Sequence, residues 1–129
     1  MSSNLLQICG SRAAMIPTTS KNSAINDGES WEETHRDIIL WHQMGHTSAA
    51  LDKALNATKI FPLIPEFWKA LGLLSKNLNR GKMAISSFRQ AVALRDDDPV
   101  NHSNLALALH GEGQMAEAIL SLQRAAELD

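Results

Sequence analysis

The chain has 129 residues, of which 44% are hydrophobic and 20% charged, and its formal net charge is −2. These values fit one modest domain and give no basic field that would attract phosphates, so no nucleic-acid partner is expected. A single cysteine, Cys9, excludes an intrachain disulfide, and apolar runs of only a few residues exclude a membrane-spanning segment.

Residues 1–30 differ from the rest of the chain in composition. They are rich in Ser, Thr and Asn and show no clear helical period, which predicts a flexible or loosely docked leader. Organellar targeting is the alternative, because Arg12 and Lys21 precede the first acidic residue, Asp27. The segment lacks the apolar block of a secretory signal, and a cytoplasmic location is expected.

From Trp31 onward, apolar residues recur with helical spacing. Phe67, Leu71 and Leu74, for example, follow the i, i+4, i+7 pattern of a single helical stripe. This pattern predicts six helices joined by short turns. Their expected ranges are 31–44, 48–60, 66–78, 83–94, 100–110 and 115–128.

Turn residues mark the ends of these helices. Gly45 is expected to end the first helix, and Gly81 to supply the positive φ that ends the third. Asp98 and Pro99 predict the start of the fifth helix, as its side-chain cap and its first-turn proline. The helices then form three antiparallel hairpins, over about residues 31–64, 65–98 and 99–129.

The hairpins repeat one another with a period of 34 residues. The recurring set is Ala50, Ala54 and Ala57, then Ala84, Phe88 and Ala91, then Ala118, Leu122 and Ala125. Small residues let two helices approach closely, and the larger Phe88 or Leu122 is expected to fill the gap between them. A single hairpin buries too little apolar surface, so the three are expected to stack.

These residues resemble the tetratricopeptide repeat. Its pattern of Trp, Leu-Gly, Ala, an aromatic residue and Ala is met in the second hairpin by Trp68, Leu71-Gly72, Ala84, Phe88 and Ala91. The chain departs from the pattern at Asp37-Ile38, at Ser75, and at Asn79, where a turn glycine is expected. The resemblance covers about three-quarters of the chain, residues 31–129. It implies an all-α, right-handed α-α superhelix, a solenoid of three antiparallel hairpins.

The resemblance also implies which residues contact a partner protein or peptide. In such arrays the first helix of each hairpin lines the concave face. The expected partner-binding residues are His35, Ile39, His42, Lys69, Leu73, Lys76, Asn77, Asn104, Leu107 and His110. Asn104 resembles a groove asparagine that binds the backbone of extended peptides in one member, although a solvated helix amide explains it equally well.

Neither a catalytic site nor a metal site is expected. No nucleophile, base and orienting group form a recognisable set. His35, His42 and His46 share helical spacing, but no acid or thiolate completes a four-ligand set nearby. The prediction is therefore a non-enzymatic chain that needs no cofactor.

The last predicted helix is apolar on nearly every side. Its own hairpin partner can cover only one face, so either self-association through this uncapped helix or a longer polypeptide is expected. A leader that folds back is the alternative. The predicted function is a protein-interaction module. Two other functions stay open: a substrate-presenting arm preceding an enzyme domain such as a glycosyltransferase or sulfotransferase, and a self-assembling scaffold.

Overall fold

Six helices follow one another in the computed structural model, which describes residue 25 and residues 28–129. They are α1 Trp31–Gln43, α2 Thr47–Ile60, α3 Pro65–Asn77, α4 Gly81–Leu94, α5 Pro99–Gly111 and α6 Met115–Leu128. No strand occurs among these residues. The prediction of an all-α solenoid is confirmed, and each helix begins and ends within two residues of its expected range. The prediction of a flexible leader falls almost entirely outside the described residues.

The helices pack as hairpins that stack in chain order. α1 packs on α2, α3 on α4 and α5 on α6, while contacts of α2 with α3 and of α4 with α5 join successive hairpins. One apolar cluster connects the first hairpin to α3, and a second connects α4 to α5 and α6. Each hairpin therefore buries its apolar face against the next, as repeat arrays do.

The turn inside each hairpin contains one residue with a positive φ. Gly45 (φ 88°), Asn79 (φ 60°) and Gly113 (φ 80°) occupy equivalent positions, 34 residues apart. Asparagine adopts this left-handed conformation more readily than most other non-glycine residues. The prediction that Gly81 supplies the positive φ is wrong, because Gly81 is the first residue of α4. The chain reverses two residues earlier, at Asn79.

Two helices begin at a side-chain cap. The Asp98 Oδ1 accepts a hydrogen bond from the Val100 backbone N–H at 2.9 Å, and Pro99 is the first residue of α5, as predicted. At the start of α1, the Ser30 hydroxyl accepts a hydrogen bond from the Glu33 N–H at 3.2 Å. The sequence places Ser30 in the leader, yet its side chain caps the first helix.

Complementary small and large residues set the distance between the two helices of a hairpin. A Cβ added to Gly72 on α3 would lie 2.5 Å from Cε1 of Phe88 on α4, so the ring occupies the space that glycine leaves. Phe88 is 1% exposed, and its predicted role in filling the gap is confirmed. The same prediction for Leu122 is wrong, because its side chain is 51% exposed. α5 covers Phe88, whereas no described helix follows α6 to cover Leu122.

Buried charges take part in the packing of the first hairpin. The Lys53 Nζ on α2 lies 3.1 Å from Oδ2 of Asp37 on α1 and 3.4 Å from Oε2 of Glu29, and all three side chains are almost inaccessible to solvent. The Thr34 hydroxyl donates a hydrogen bond to the same Glu29 oxygen at 2.5 Å. The Lys53 ammonium also lies 4.9 Å from the centroid of the Trp41 ring, a cation–π contact.

This cluster explains why Asp37 departs from the repeat pattern. The positions equivalent to Asp37 and Lys53 hold Leu71 and Ser87 in the second hairpin, and Leu105 and Ser121 in the third. The first hairpin therefore has an ion pair where the others have a leucine and a serine. Glu29, like Ser30, belongs to the folded hairpin even though its position in the sequence suggested a leader.

Candidate binding surface

The first helices of the three hairpins are adjacent. The ring of Phe67 on α3 lies 6.0 Å from the ring of His35 on α1, and the Asn77 amide nitrogen lies 3.3 Å from Nε2 of His42. α3 reaches the start of α5 through Lys69, whose Nζ lies 3.8 Å from Oδ2 of Asp98. We call the exposed residues of α1, α3 and α5 the first-helix face.

Three exposed apolar residues occupy equivalent positions on this face. Ile39, Leu73 and Leu107 stand 34 residues apart, one on each helix, and are 42%, 43% and 53% exposed. We call them the apolar row. Large apolar side chains left in water at matched positions favour being covered by a partner.

A basic row runs beside the apolar row. It consists of His42, Lys76 and His110, which are all exposed and lie three residues further along the same helices. Residues three apart on a helix are neighbours on its surface, so each member of the basic row adjoins one member of the apolar row. Lys76 forms no ion pair with any described residue. The first-helix face thus pairs apolar and basic groups once per hairpin.

A cleft of about 260 Å³ connects the two rows between α3 and α5. It is lined by Lys76, Asn79, Gly81, Ala84, Leu107, Ala108, Gly111 and Glu112. Lys76 belongs to the basic row and Leu107 to the apolar row. The cleft therefore places the Lys76 ammonium beside the apolar side chain of Leu107. The Glu112 carboxylate lies against Gly81, on the α4 side of the cleft.

Three of the residues expected to bind a partner are less accessible than the rows. His35 is half-buried against the rings of Trp31 and Phe67. Lys69 is half-buried and paired with Asp98, and Asn104 is also half-buried. Burial lowers the pKa of His35, the Glu66 carboxylate opposes this shift and the Lys69 ammonium reinforces it. His35 therefore serves the packing of α1 on α3.

We expect His35 to make the fold sensitive to acid. Its folded-state pKa lies below its unfolded value, so its contribution to stability is fully present above the unfolded pKa and is lost as the pH falls through the folded pKa. The free energy of unfolding of His35→Phe should then fall less between about pH 7.5 and about pH 5 than that of the unsubstituted protein. Urea titrations at both pH values measure this, with the exposed His110→Phe as the control. Equal falls in His35→Phe and the unsubstituted protein would contradict the assignment.

With the residues that the structure describes, the other histidines do not form a metal site. In the described part of the chain, no group of three or more His, Cys, Asp or Glu side chains is placed to hold a metal ion. His102 is buried, and its Nε2 donates a hydrogen bond to the Asp96 carbonyl at 2.8 Å. One period earlier, Trp68 Nε1 donates to the Pro62 carbonyl at 2.9 Å. His102 therefore replaces the tryptophan of the repeat pattern as a donor to the preceding loop.

The members of both rows are among the residues that the sequence predicts to contact a partner. Their common spacing, however, is not part of that prediction. That spacing is the same 34-residue period that revealed the core, and applying it to the exposed positions would have identified both rows.

The sequence profile of the family described as "Tetratricopeptide repeat" matches residues 65–98 and 101–129, which span α3 to α6. The chain belongs to the tetratricopeptide repeat family. The first hairpin lies outside the matched ranges, and it is the hairpin that contains Asp37 and Lys53 in place of leucine and serine. Repeat arrays of this kind form extended surfaces that bind proteins or peptides.

Solved structures share this fold. MamA from MSR-1 is 24% identical, with 78% of this chain and 57% of that chain covered and a TM-score of 0.70. The Yersinia enterocolitica type III secretion translocator chaperone SycD, in an alternative dimer, is 22% identical, with 80% of each chain covered and a TM-score of 0.72. At these identities the likeness shows the fold alone. The chain spans somewhat more than half the length of the MamA structure.

A search of curated proteins by sequence gave no match. None of the helices in residues 28–129 has the length and hydrophobicity that crossing a bilayer requires.

Proposed function

We propose that the first-helix face binds a peptide segment with an apolar residue at every third position and an acidic residue beside it. The observation that supports this proposal is the apolar row lying beside the basic row. Covering the apolar row removes it from water, which contributes roughly 25 cal/mol for each Å² buried. Carboxylates facing Lys76 would orient the segment and speed its association.

The helix spacing determines which residues of the segment make contact. Neighbouring helices lie roughly 8–10 Å apart, and a polyproline II segment advances about 3.1 Å per residue with three residues per turn. Every third residue of such a segment therefore lies on the same side and reaches the next member of the apolar row. A suitable probe is a fluorescein-labelled peptide of about five Leu-Glu-Ser repeats, which places leucine at every third position beside an acid.

We expect Leu73→Ser to weaken binding of this probe about tenfold, the equivalent of ~1.4 kcal/mol. Leu73 is the central member of the apolar row, so the substitution removes the apolar contact that lies between those of Ile39 and Leu107. Fluorescence anisotropy measures the dissociation constant. The matched control is Leu63→Ser, which removes a leucine that is 76% exposed in the loop between α2 and α3, away from the first-helix face.

A second probe tests the acidic part of the proposal. In it every glutamate is replaced by lysine, and it should bind several times more weakly than the acidic probe. Lys76→Gln should reduce the difference between the two probes, because it removes the one fixed charge of the basic row. Equal binding of both probes would refute the acidic preference. Equal effects of Leu73→Ser and Leu63→Ser would refute the first-helix face as the site.

A further inference from the structure

The last helix exposes an apolar stripe that is separate from the first-helix face. The stripe consists of Met115, Ile119, Leu122 and Ala126, which follow the i, i+4, i+7, i+11 spacing of a single helix side. The first three are 49%, 49% and 51% exposed, and Ala126 is also exposed. We call these four residues the α6 stripe.

At the two central positions of the stripe, the equivalent residues of the earlier hairpins are buried. Ile119 corresponds to Ile85 (6% exposed) and Leu51 (2%), and Leu122 corresponds to Phe88 (1%) and Ala54 (0%). Those positions are covered because α3 packs on α2 and α5 packs on α4. The α6 stripe is therefore the side on which each hairpin of this array receives another helix.

Helices with several buried apolar residues cover these positions. α3 brings the large apolar residues Phe67, Leu71 and Leu74 to the first cluster, with i, i+4, i+7 spacing. α5 brings Leu105, Ala108 and Leu109 to the second, with i, i+3, i+4 spacing. A helix with three or more apolar residues on one side is thus the kind of partner that fits α6.

Among the described helices, α6 is the one that exposes such a stripe. A second copy of α6 is therefore a helix of the kind that can cover the α6 stripe. We propose that α6 pairs with α6 of a second copy of this chain. An antiparallel two-fold arrangement places Ile119 opposite Leu122 of the partner subunit and opposes the two helix dipoles favourably. The stripe contains no charged residue, so pairing brings no like charges together.

The pair is expected to be weak and reversible. α6 has 14 residues, and two such helices bury less than the roughly 1,200–2,000 Å² of a standard stable interface. The dissociation constant is therefore expected in the micromolar range or above, and the fraction of dimer should rise with protein concentration.

Two neighbouring substitutions test the pairing. Ile119→Glu places a charge in the stripe and should raise the dimer dissociation constant at least about tenfold. Leu120→Glu is the matched control: Leu120 is 64% exposed, but its equivalents Ser86 and Asp52 stay exposed even where the next helix has docked. It should change the constant by less than about threefold. Sedimentation velocity over a wide concentration range measures both values.

Three outcomes would overturn the proposal. The first is an unsubstituted protein that stays monomeric at all concentrations, including one in which hydrogen exchange shows α6 protected by another part of the same chain. The second is an equal weakening by Ile119→Glu and Leu120→Glu. The third is unchanged dimerisation in both variants while both keep their helical circular dichroism. Binding of the Leu-Glu-Ser probe should be unaffected by Ile119→Glu, so failure of this proposal is distinct from failure of the first-helix face.

Discussion

Replacing Lys53 with methionine is expected to reduce the free energy of unfolding by about 3–5 kcal/mol. Methionine retains an unbranched apolar stem but removes the ammonium that lies between Asp37 and Glu29. Both carboxylates then stay buried without that cation, and water cannot replace it because neither side chain is accessible. The cation–π contact with Trp41 is lost as well. Urea denaturation followed by circular dichroism measures the loss.

Arg89→Gln is the control for this prediction. The Arg89 Nη2 lies 2.6 Å from Oε2 of Glu117, closer than Lys53 lies to either of its partners, but both side chains are nearly half exposed. Exposed ion pairs contribute about 0–1 kcal/mol, so Arg89→Gln should have a small effect. Burial, and not the distance between the charges, should therefore decide which ion pair matters. Similar losses in the two variants would contradict this explanation.

Gly72→Ala is expected to reduce the free energy of unfolding by about 2 kcal/mol. Helix propensity alone favours alanine over glycine by about 1 kcal/mol. The new Cβ would, however, lie 2.5–2.7 Å from three carbons of the buried Phe88 ring, which is too close for any real contact. Steric overlap with a ring fixed by α3, α4 and α5 outweighs the gain in propensity. Thermal and urea unfolding measure the difference.

Gly111→Ala provides the matched control. A Cβ at Gly111, the last residue of α5, would meet nothing within 4 Å, so this substitution should be neutral or stabilising. A loss at Gly111 as large as that at Gly72 would point to a backbone effect and contradict the steric account.

The first hairpin suggests a compensating substitution. The positions of Gly72 and Phe88 hold Ile38 and Ala54 there, and both are buried. A larger residue on one helix is matched by a smaller one on the other. Gly72→Ala combined with Phe88→Leu should therefore lose about 1 kcal/mol less than the sum of the two single losses. Additive losses would show that the two positions do not share one space.

Local patterns in the sequence were enough to predict the helices and their connections. Apolar spacing, the Asp98-Pro99 start and the 34-residue period depend on residues close in the chain or on exact recurrence, and they led to the repeat family. The error at Gly81 had a local cause too. Asn79 occupies the position equivalent to Gly45 and Gly113, and the period outweighs the general preference for glycine at a helix end.

Only the tertiary structure decided which of these residues are buried. Lys53 and Asp37 are 16 residues apart in the chain, and nothing in either helix shows that they and Glu29 meet in a site without water. Phe88 and Leu122 occupy the same position of the repeat, but α5 covers one and no described helix covers the other. Helix formation follows from spacing along the chain. Burial depends on which helix lies opposite, and that is settled only when the hairpins stack.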